Sequence, residues 1–384
     1  MLTQGINFKN FNLKFKFTKV IKNFKKLINN KDQVIESLGK NYKDSFNYKF
    51  LIKTKKFSKY RIIGMGGSTL GSQAIYDFLN FKIKKRFSFI DNLQSYNKNN
   101  LKEKYTNLII SKSGNTIETI VNANILIKKD DRNIFITENK NNYLNSLAQK
   151  LKADIIHHNN YIGGRFSVLS EVGMLPAELM GLKSKNFRQF NSLIKNKKFL
   201  NSLISNVSST LYLIKKKKYN SIIINYDEKS ENLFKWYQQL VAESLGKNKK
   251  GILPIVSNMP KDNHSVMQLY LDGFNYNFFT FFYVHNDKSD KIKSNKILFS
   301  QKNLKNKNSS NIIYAQKKAT ENVFKRKKIP FRSFEIIKRD EKTLGELFCF
   351  FILETILIAK SLNLDPYGQP AVELIKKETN KLLI

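Results

Sequence analysis

Arg61-Ile62-Ile63-Gly64-Met65-Gly66-Gly67-Ser68-Thr69-Leu70-Gly71 decides the fold. An apolar run ends in a glycine-rich turn, and an apolar spacing of helical period begins at once and runs from Leu70 to Phe81. The same order returns downstream: Asn107 to Ile110 is apolar, Thr116 to Ile127 is helical in pattern, and Asn133 to Ile136 is apolar again. Short apolar runs alternating with helices are the rhythm of a parallel sheet with helices on both faces. A second set follows, with an apolar run at Ser221 to Ile224, a helix around Trp236 to Leu245, an apolar run near Phe278 to Val284, and helices to the end. A chain of 384 residues exceeds what one core holds, so the expected fold is α/β with two such domains. Asn186 to Lys218 has helical spacing with no Pro or Gly and predicts one long bridging helix, and the Lys/Asn/Ser-rich stretch Asn286 to Asn311 predicts a surface excursion.

Composition excludes several classes. Hydrophobic residues make up 41% and aromatics 12%, ample for a core and against global disorder. Lysine and arginine number 68 against 30 acidic residues, a formal net charge of +38. The lysines are spread along the whole chain and no short basic block stands out, which reads as a solvated basic surface rather than a nucleic-acid footprint; its field would still draw in a phosphorylated substrate. Cys349, the single cysteine, has apolar neighbours and fits a core position. Met1 to Lys26 lacks a secretory signal pattern. The most apolar run, Leu347 to Ala359, is interrupted by Glu354 and falls short of a membrane span. A cytoplasmic protein without membrane or nucleic-acid partners is expected.

The turn after Ile63 has the shape of a phosphate cradle, because glycines let the backbone approach an anion and the free N–H groups of the next helix point at it. A nucleotide site or a merely tight turn fits that segment equally well. A second loop, Ser111-Lys112-Ser113-Gly114-Asn115-Thr116-Ile117-Glu118-Thr119, follows Leu108-Ile109-Ile110. One helix cap needs one hydroxyl; hydroxyls at Ser111, Ser113, Thr116 and Thr119 favour an anion site. His157 and His158 are adjacent, so on a strand they face opposite sides and make no metal site, and no other cluster suggests a metal.

The loop Ser111 to Thr119 resembles the phosphosugar loop of sugar isomerase (SIS) domains. Gly163-Gly164-Arg165-Phe166-Ser167-Val168-Leu169-Ser170, continued by Gly173-Met174-Leu175-Pro176, resembles a signature of the phosphoglucose isomerase family. Three further segments are similar to that family in the same order: Trp236-Tyr237-Gln238-Gln239-Leu240 leading into Glu243-Ser244-Leu245-Gly246-Lys247, then Asp262 to Gln268 around His264, then Gln369 to Lys376. Thr69 stands where the family commonly has Asp, and Ser-Gly-Asn replaces its more usual Thr-Phe-Thr.

The resemblance implies two SIS-type, flavodoxin-like domains: residues 59–185 and 186–362, preceded by a mostly helical extension over 1–58 and followed by a helix over 363–384 that completes the site. It also implies interconversion of glucose 6-phosphate and fructose 6-phosphate. Glu243 would be the base that moves a proton between C2 and C1, Arg165 the charge that stabilises the enediolate, and His264 with Lys376 the ring-opening groups. Gly67, Ser68, Ser111, Lys112, Ser113, Thr116, Thr119 and Gln369 would bind substrate. No cofactor is expected, because the proton shift is internal. The family's histidine comes from the neighbouring subunit, so a homodimer with shared sites is implied. Two alternatives stay open: a dual phosphoglucose and phosphomannose isomerase, which shares the Ser-Gly-Asn-Thr loop, and a non-catalytic phosphosugar-sensing protein.

Overall fold

The computed structural model describes residues 2–11, 13, 17–29, 32–95, 103–286 and 289–383. Ten strands are formed among them: β1 (Ile6–Lys9), β2 (Lys59–Gly64), β3 (Arg86–Ile90), β4 (Thr106–Ile110), β5 (Arg132–Glu138), β6 (Asp154–His158), β7 (Asn220–Asn225), β8 (Leu253–Asn258), β9 (Asn277–Val284) and β10 (Phe331–Ile336). They make two sheets. The first runs β3-β2-β4-β5-β6 with every pairing parallel. This is the flavodoxin-like order, in which the chain leaves its first strand to one side and returns on the other. β4 is buried along its whole length, as its unbroken apolar run requires in a sheet covered on both faces.

The second sheet runs β1-β10-β9-β7-β8. Four of its strands are parallel, and β1 joins antiparallel to β10, with Ile6 opposite Ile336. The segment before residue 59 therefore supplies, besides helices Thr18–Asn29, Gln33–Ser37 and Tyr48–Lys55, the edge strand of the far sheet. One apolar cluster joins residues from both sheets, among them Ile62, Leu108 and Phe334, with the helix residue Trp236. Helix Glu341–Ser361 runs through it and is buried from Thr343 to Ala359. Glu354 sits there because the buried Arg332 and Asn206 hold its carboxylate. Cys349 lies on the same helix, and burial pushes its thiol up to about 12.

The expected single bridge from Asn186 to Lys218 is corrected to three pieces, Ser184–Phe187, Phe190–Leu193 and Lys197–Lys215. Local polar contacts break it. Asn196 accepts the N–H groups of Lys198 and Phe199 at 2.9 and 3.2 Å and starts a new helix, an alternative that Asn offers the backbone. Arg188 turns inward to Asp44 and to the Leu169 carbonyl. Residues 289–311 are largely exposed, as expected. No described helix is long and apolar enough to cross a membrane.

Candidate active site

Arg165 lies on the 3-10 segment Gly164–Leu169, almost wholly buried, and its guanidinium gathers two distant parts of the chain. Nε donates to the Ser244 hydroxyl at 2.9 Å; Nη1 donates to Glu243 Oε2 at 2.9 Å and Gln369 Oε1 at 2.7 Å. Nη2 donates to the carbonyls of Pro366 and Tyr367 at 2.6 and 2.9 Å. Burial pulls the guanidinium below the usual arginine range, while Glu243 and Asp365 push it back up. A planar fork that stays charged suits such a junction, which a lysine could not span.

The receiving loop is built to meet it. Asp365 accepts the N–H groups of Tyr367 and Gly368 at 3.0 and 2.9 Å, which turns the carbonyls toward Arg165. Burial opposes the charge on Asp365, yet these N–H groups, with Lys247 and Arg165, hold its carboxyl below the usual range. Lys247 Nζ donates to the Asp365 carbonyl.

Glu243 lies two residues from the end of helix Glu231–Leu245 and is half-buried. Gln239, one turn earlier, donates to Glu243 Oε1 at 2.9 Å. Its own amide oxygen is buried and has no partner. Gln239 also lies against Gly66, whose positive φ of 52° and lack of a side chain leave room for that amide. Gly67 touches the backbone of Gly164 and Arg165, where any Cβ would collide. The glycine turn thus ends against the Arg165 loop, and half-buried Ser68 follows it.

The hydroxyl loop follows β4, neighbour of β2. The chain's path reverses between these two strands, and in open α/β sheets ligands bind in the crevice at that point, beyond the C-terminal strand ends. The Ser111 and Thr116 hydroxyls are 2.9 Å apart and close the loop. Ser113 is exposed, and Lys112 pairs with Glu138 at 3.3 Å. Helix Ile117–Leu126 receives no side-chain cap, so its first N–H groups are left for another acceptor. Thr119, in its first turn, has a buried hydroxyl with no partner.

Two expected groups stand apart. His264 ends the short 3-10 segment Lys261–His264 and is exposed, with no hydrogen bond holding its ring. Lys376 is exposed on helix Pro370–Leu382 and pairs with Glu373 at 2.7 Å. No residue of that helix is buried, and Leu374 and Ile375 point their apolar side chains into solvent. Within one chain, Arg165, Glu243 and Gln369 come together, and His264 and Lys376 do not join them.

The profile of the phosphoglucose isomerase family matches residues 51–262. A glucose-6-phosphate isomerase from Methanocaldococcus jannaschii is 33% identical, over 85% of this chain and 85% of its own. One from Mycoplasmopsis pulmonis is 31% identical, over 91% of this chain and 88% of its own. The chain belongs to the phosphoglucose isomerase family. Among solved structures, a hypothetical protein from Thermus thermophilus superposes with a TM-score of 0.81 at 20% identity, covering 95% of this chain and 94% of its own. A glucose-6-phosphate isomerase from Chlamydia trachomatis has a TM-score of 0.69 at 19% identity, covering 87% of this chain and 71% of its own. These two establish the fold.

For a phosphoglucose isomerase site, sequence reasoning passed over Gln239, Ser244 and Asp365. A signal existed for the first. Gln239 and Glu243 are one helical turn apart, the spacing at which side chains meet. Ser244 and Asp365 act through Arg165 and through a turn, which only the folded chain displays. Among the described residues no group of three or more His, Cys, Asp or Glu could hold a metal.

Proposed function

We propose that the chain interconverts glucose 6-phosphate and fructose 6-phosphate, with Glu243 as the base. The observation that carries this reading is the Arg165–Glu243 pair at 2.9 Å, set against a glycine turn. Glu243 takes the C2 proton of the open aldose and returns it to C1. The C1 carbonyl becomes a hydroxyl and the C2 hydroxyl gives up its proton to become the new carbonyl, so nothing is oxidised overall. Arg165 holds the carboxylate in place and offsets negative charge on the enediolate between the two steps.

Ser68, Ser111, Lys112, Ser113, Thr116 and Thr119, with the backbone at Gly67, receive the phosphate, and Gln369 receives a sugar hydroxyl. His264 and Lys376 serve ring opening from outside the Arg165 cluster. Their exposure, and the apolar side chains displayed by helix Pro370–Leu382, support a homodimer in which a second copy brings His264 to Glu243. Two sugar-isomerase-type halves, 59–185 and 186–362, would share each site with the C-terminal helix. A free, buried thiol at Cys349 fits a cytoplasmic enzyme.

Fructose 6-phosphate incubated with the protein in deuterium oxide tests the reaction. Glucose 6-phosphate carrying deuterium at C2 is expected. Recovery of unlabelled fructose 6-phosphate alone would refute it. A parallel arm with mannose 6-phosphate tells whether the proton reaches one face of C2 or both.

A further inference from the structure

His158 ends β6 with its side chain fully buried, and each ring nitrogen faces an acceptor. Nε2 lies 2.9 Å from the Ile162 carbonyl and Nδ1 lies 2.6 Å from Glu171 Oε1. A neutral imidazole has one N–H and one lone pair, and a backbone carbonyl can only accept. Nε2 must therefore donate to Ile162. A neutral ring would then press its Nδ1 lone pair against a carboxylate oxygen. That oxygen also accepts the Asn159 N–H at 3.0 Å, and its mate accepts the Tyr42 hydroxyl at 2.8 Å, as an ionised carboxylate does. We propose that His158 and Glu171 form a buried imidazolium–carboxylate clip, closed by Tyr42, that positions the loop carrying Arg165.

The clip sits where it can act on that loop. Ile162, which it holds, is followed directly by Gly163, Gly164 and Arg165. The other end of the 3-10 segment is held in a similar way. Arg188 donates Nε and Nη2 to the Leu169 carbonyl at 3.1 and 3.0 Å and Nη1 to Asp44 at 2.9 Å. Tyr42 joins the two clamps, since its ring lies over the Arg188 guanidinium with 5.0 Å to the centroid. Among the described residues, the charged and titratable groups that these contacts link to His158 are Glu171 at the start of helix Glu171–Leu179, then Tyr42 and Asp44 from the segment before β2, and Arg188 from beyond that helix. Asp44 and Arg188 compensate each other, which leaves the imidazolium to Glu171. Burial opposes charge on Glu171, yet His158 and the Asn159 N–H hold its carboxyl below the usual range.

A buried ion pair about breaks even against an apolar pair of equal volume. Its directional bonds fix a register instead, here the height of the Arg165 loop above Glu243. The proposal rests on Arg165 serving the site described above, and it makes His158, Glu171 and Tyr42 positioning residues.

Nitrogen-15 spectra of the histidine rings test it first. The signal lost in His158→Asn identifies the ring, and in the wild-type chain both its nitrogens should be protonated at neutral pH. A lone-pair nitrogen in that ring at pH 7 overturns the proposal. Amide hydrogen exchange at Gly163, Gly164 and Arg165 comes second. It should quicken about 10-fold in Glu171→Gln and about 3-fold in Tyr42→Phe, the scale of a charged and a neutral hydrogen bond. Unchanged exchange overturns the positioning role. Should Glu171→Gln fail to fold, Tyr42→Phe decides, because it removes one bond and keeps the ring over Arg188. In turnover, kcat should fall about 10-fold in Glu171→Gln with KM within about 2-fold, whereas a general loosening would move both. Ring protonation and amide exchange are read without substrate, so an inactive wild-type protein would refute the proposed reaction and leave the clip standing.

Discussion

Around Arg165 every direction of the guanidinium is spent on the protein, whereas His264 and Lys376 stand in solvent on short or unpacked elements. The first region is held by loops that meet backbone to backbone at Gly67 and Gly164. The second has an exposed histidine and a helix with no buried residue. The contrast teaches that, under the proposed reaction, a single chain would fix the base and its charged partner while leaving the proposed ring-opening groups apart from them. The proposed homodimer would give them a surface from a second copy.

The largest expected effect breaks the packed half. Glu243→Gln keeps the shape and the Gln239 and Arg165 neighbours but removes the base, so deuterium exchange should fall about 10³-fold while phosphosugar binding holds. Wild-type exchange in that variant would remove Glu243 from the mechanism. The open half is probed by mixing subunits. Glu243→Gln and His264→Ala proteins, each inactive, should regain roughly a quarter of wild-type activity after exchange, because statistical hybrids contain one site with both residues intact. Hybrids seen by native mass spectrometry without activity would place both groups in one subunit.

Arg165→Lys sharpens the comparison from the other side. Lysine keeps the charge and loses the fork, so kcat should drop about 100-fold and loop 365–369 should become protease-sensitive. Retained kcat would show that charge alone suffices. A smaller effect belongs to the phosphate. Ser113→Ala with Thr116→Val should raise KM about 10-fold with little change in kcat, since these contacts are made equally before and during reaction. The smallest is a pH dependence. Glu171 has a depressed pKa in the folded protein, so its stabilisation is complete above the unfolded value and is lost as pH falls through the folded one. Urea titrations should show stability falling below the ordinary carboxylate range, less steeply in Glu171→Gln.

Five strands, β2, β4, β5, β7 and β9, were legible because parallel strands buried on both faces read as unbroken apolar runs, as at Leu108-Ile109-Ile110 and Ile222-Ile223-Ile224, whereas β1, β3, β6, β8 and β10 and the order of the sheets were not. That Arg165, Glu243 and Gln369 meet was expected from the motifs that carry them, and the structure brings the three together. Long-range polar contacts were not. Nothing in Tyr42, Asp44 or Asp32 as isolated letters shows that they reach Glu171, Arg188 and Tyr367, yet these contacts tie the first sixty residues to the loops around Arg165. The bridging helix failed for a different, local reason, since the spacing was right and the side chain of Asn196 offered the backbone another partner.

Strand β1 has a consequence for solubility. Without Ile6–Lys9, β10 would become the sheet's edge and present free N–H and C=O groups beside Phe331, Phe334 and Ile336. An open, apolar edge is a template for pairing with other chains. With β1 in place the outermost strand is four residues long and ends in Lys9, too short and too charged for the edges of two molecules to zip together.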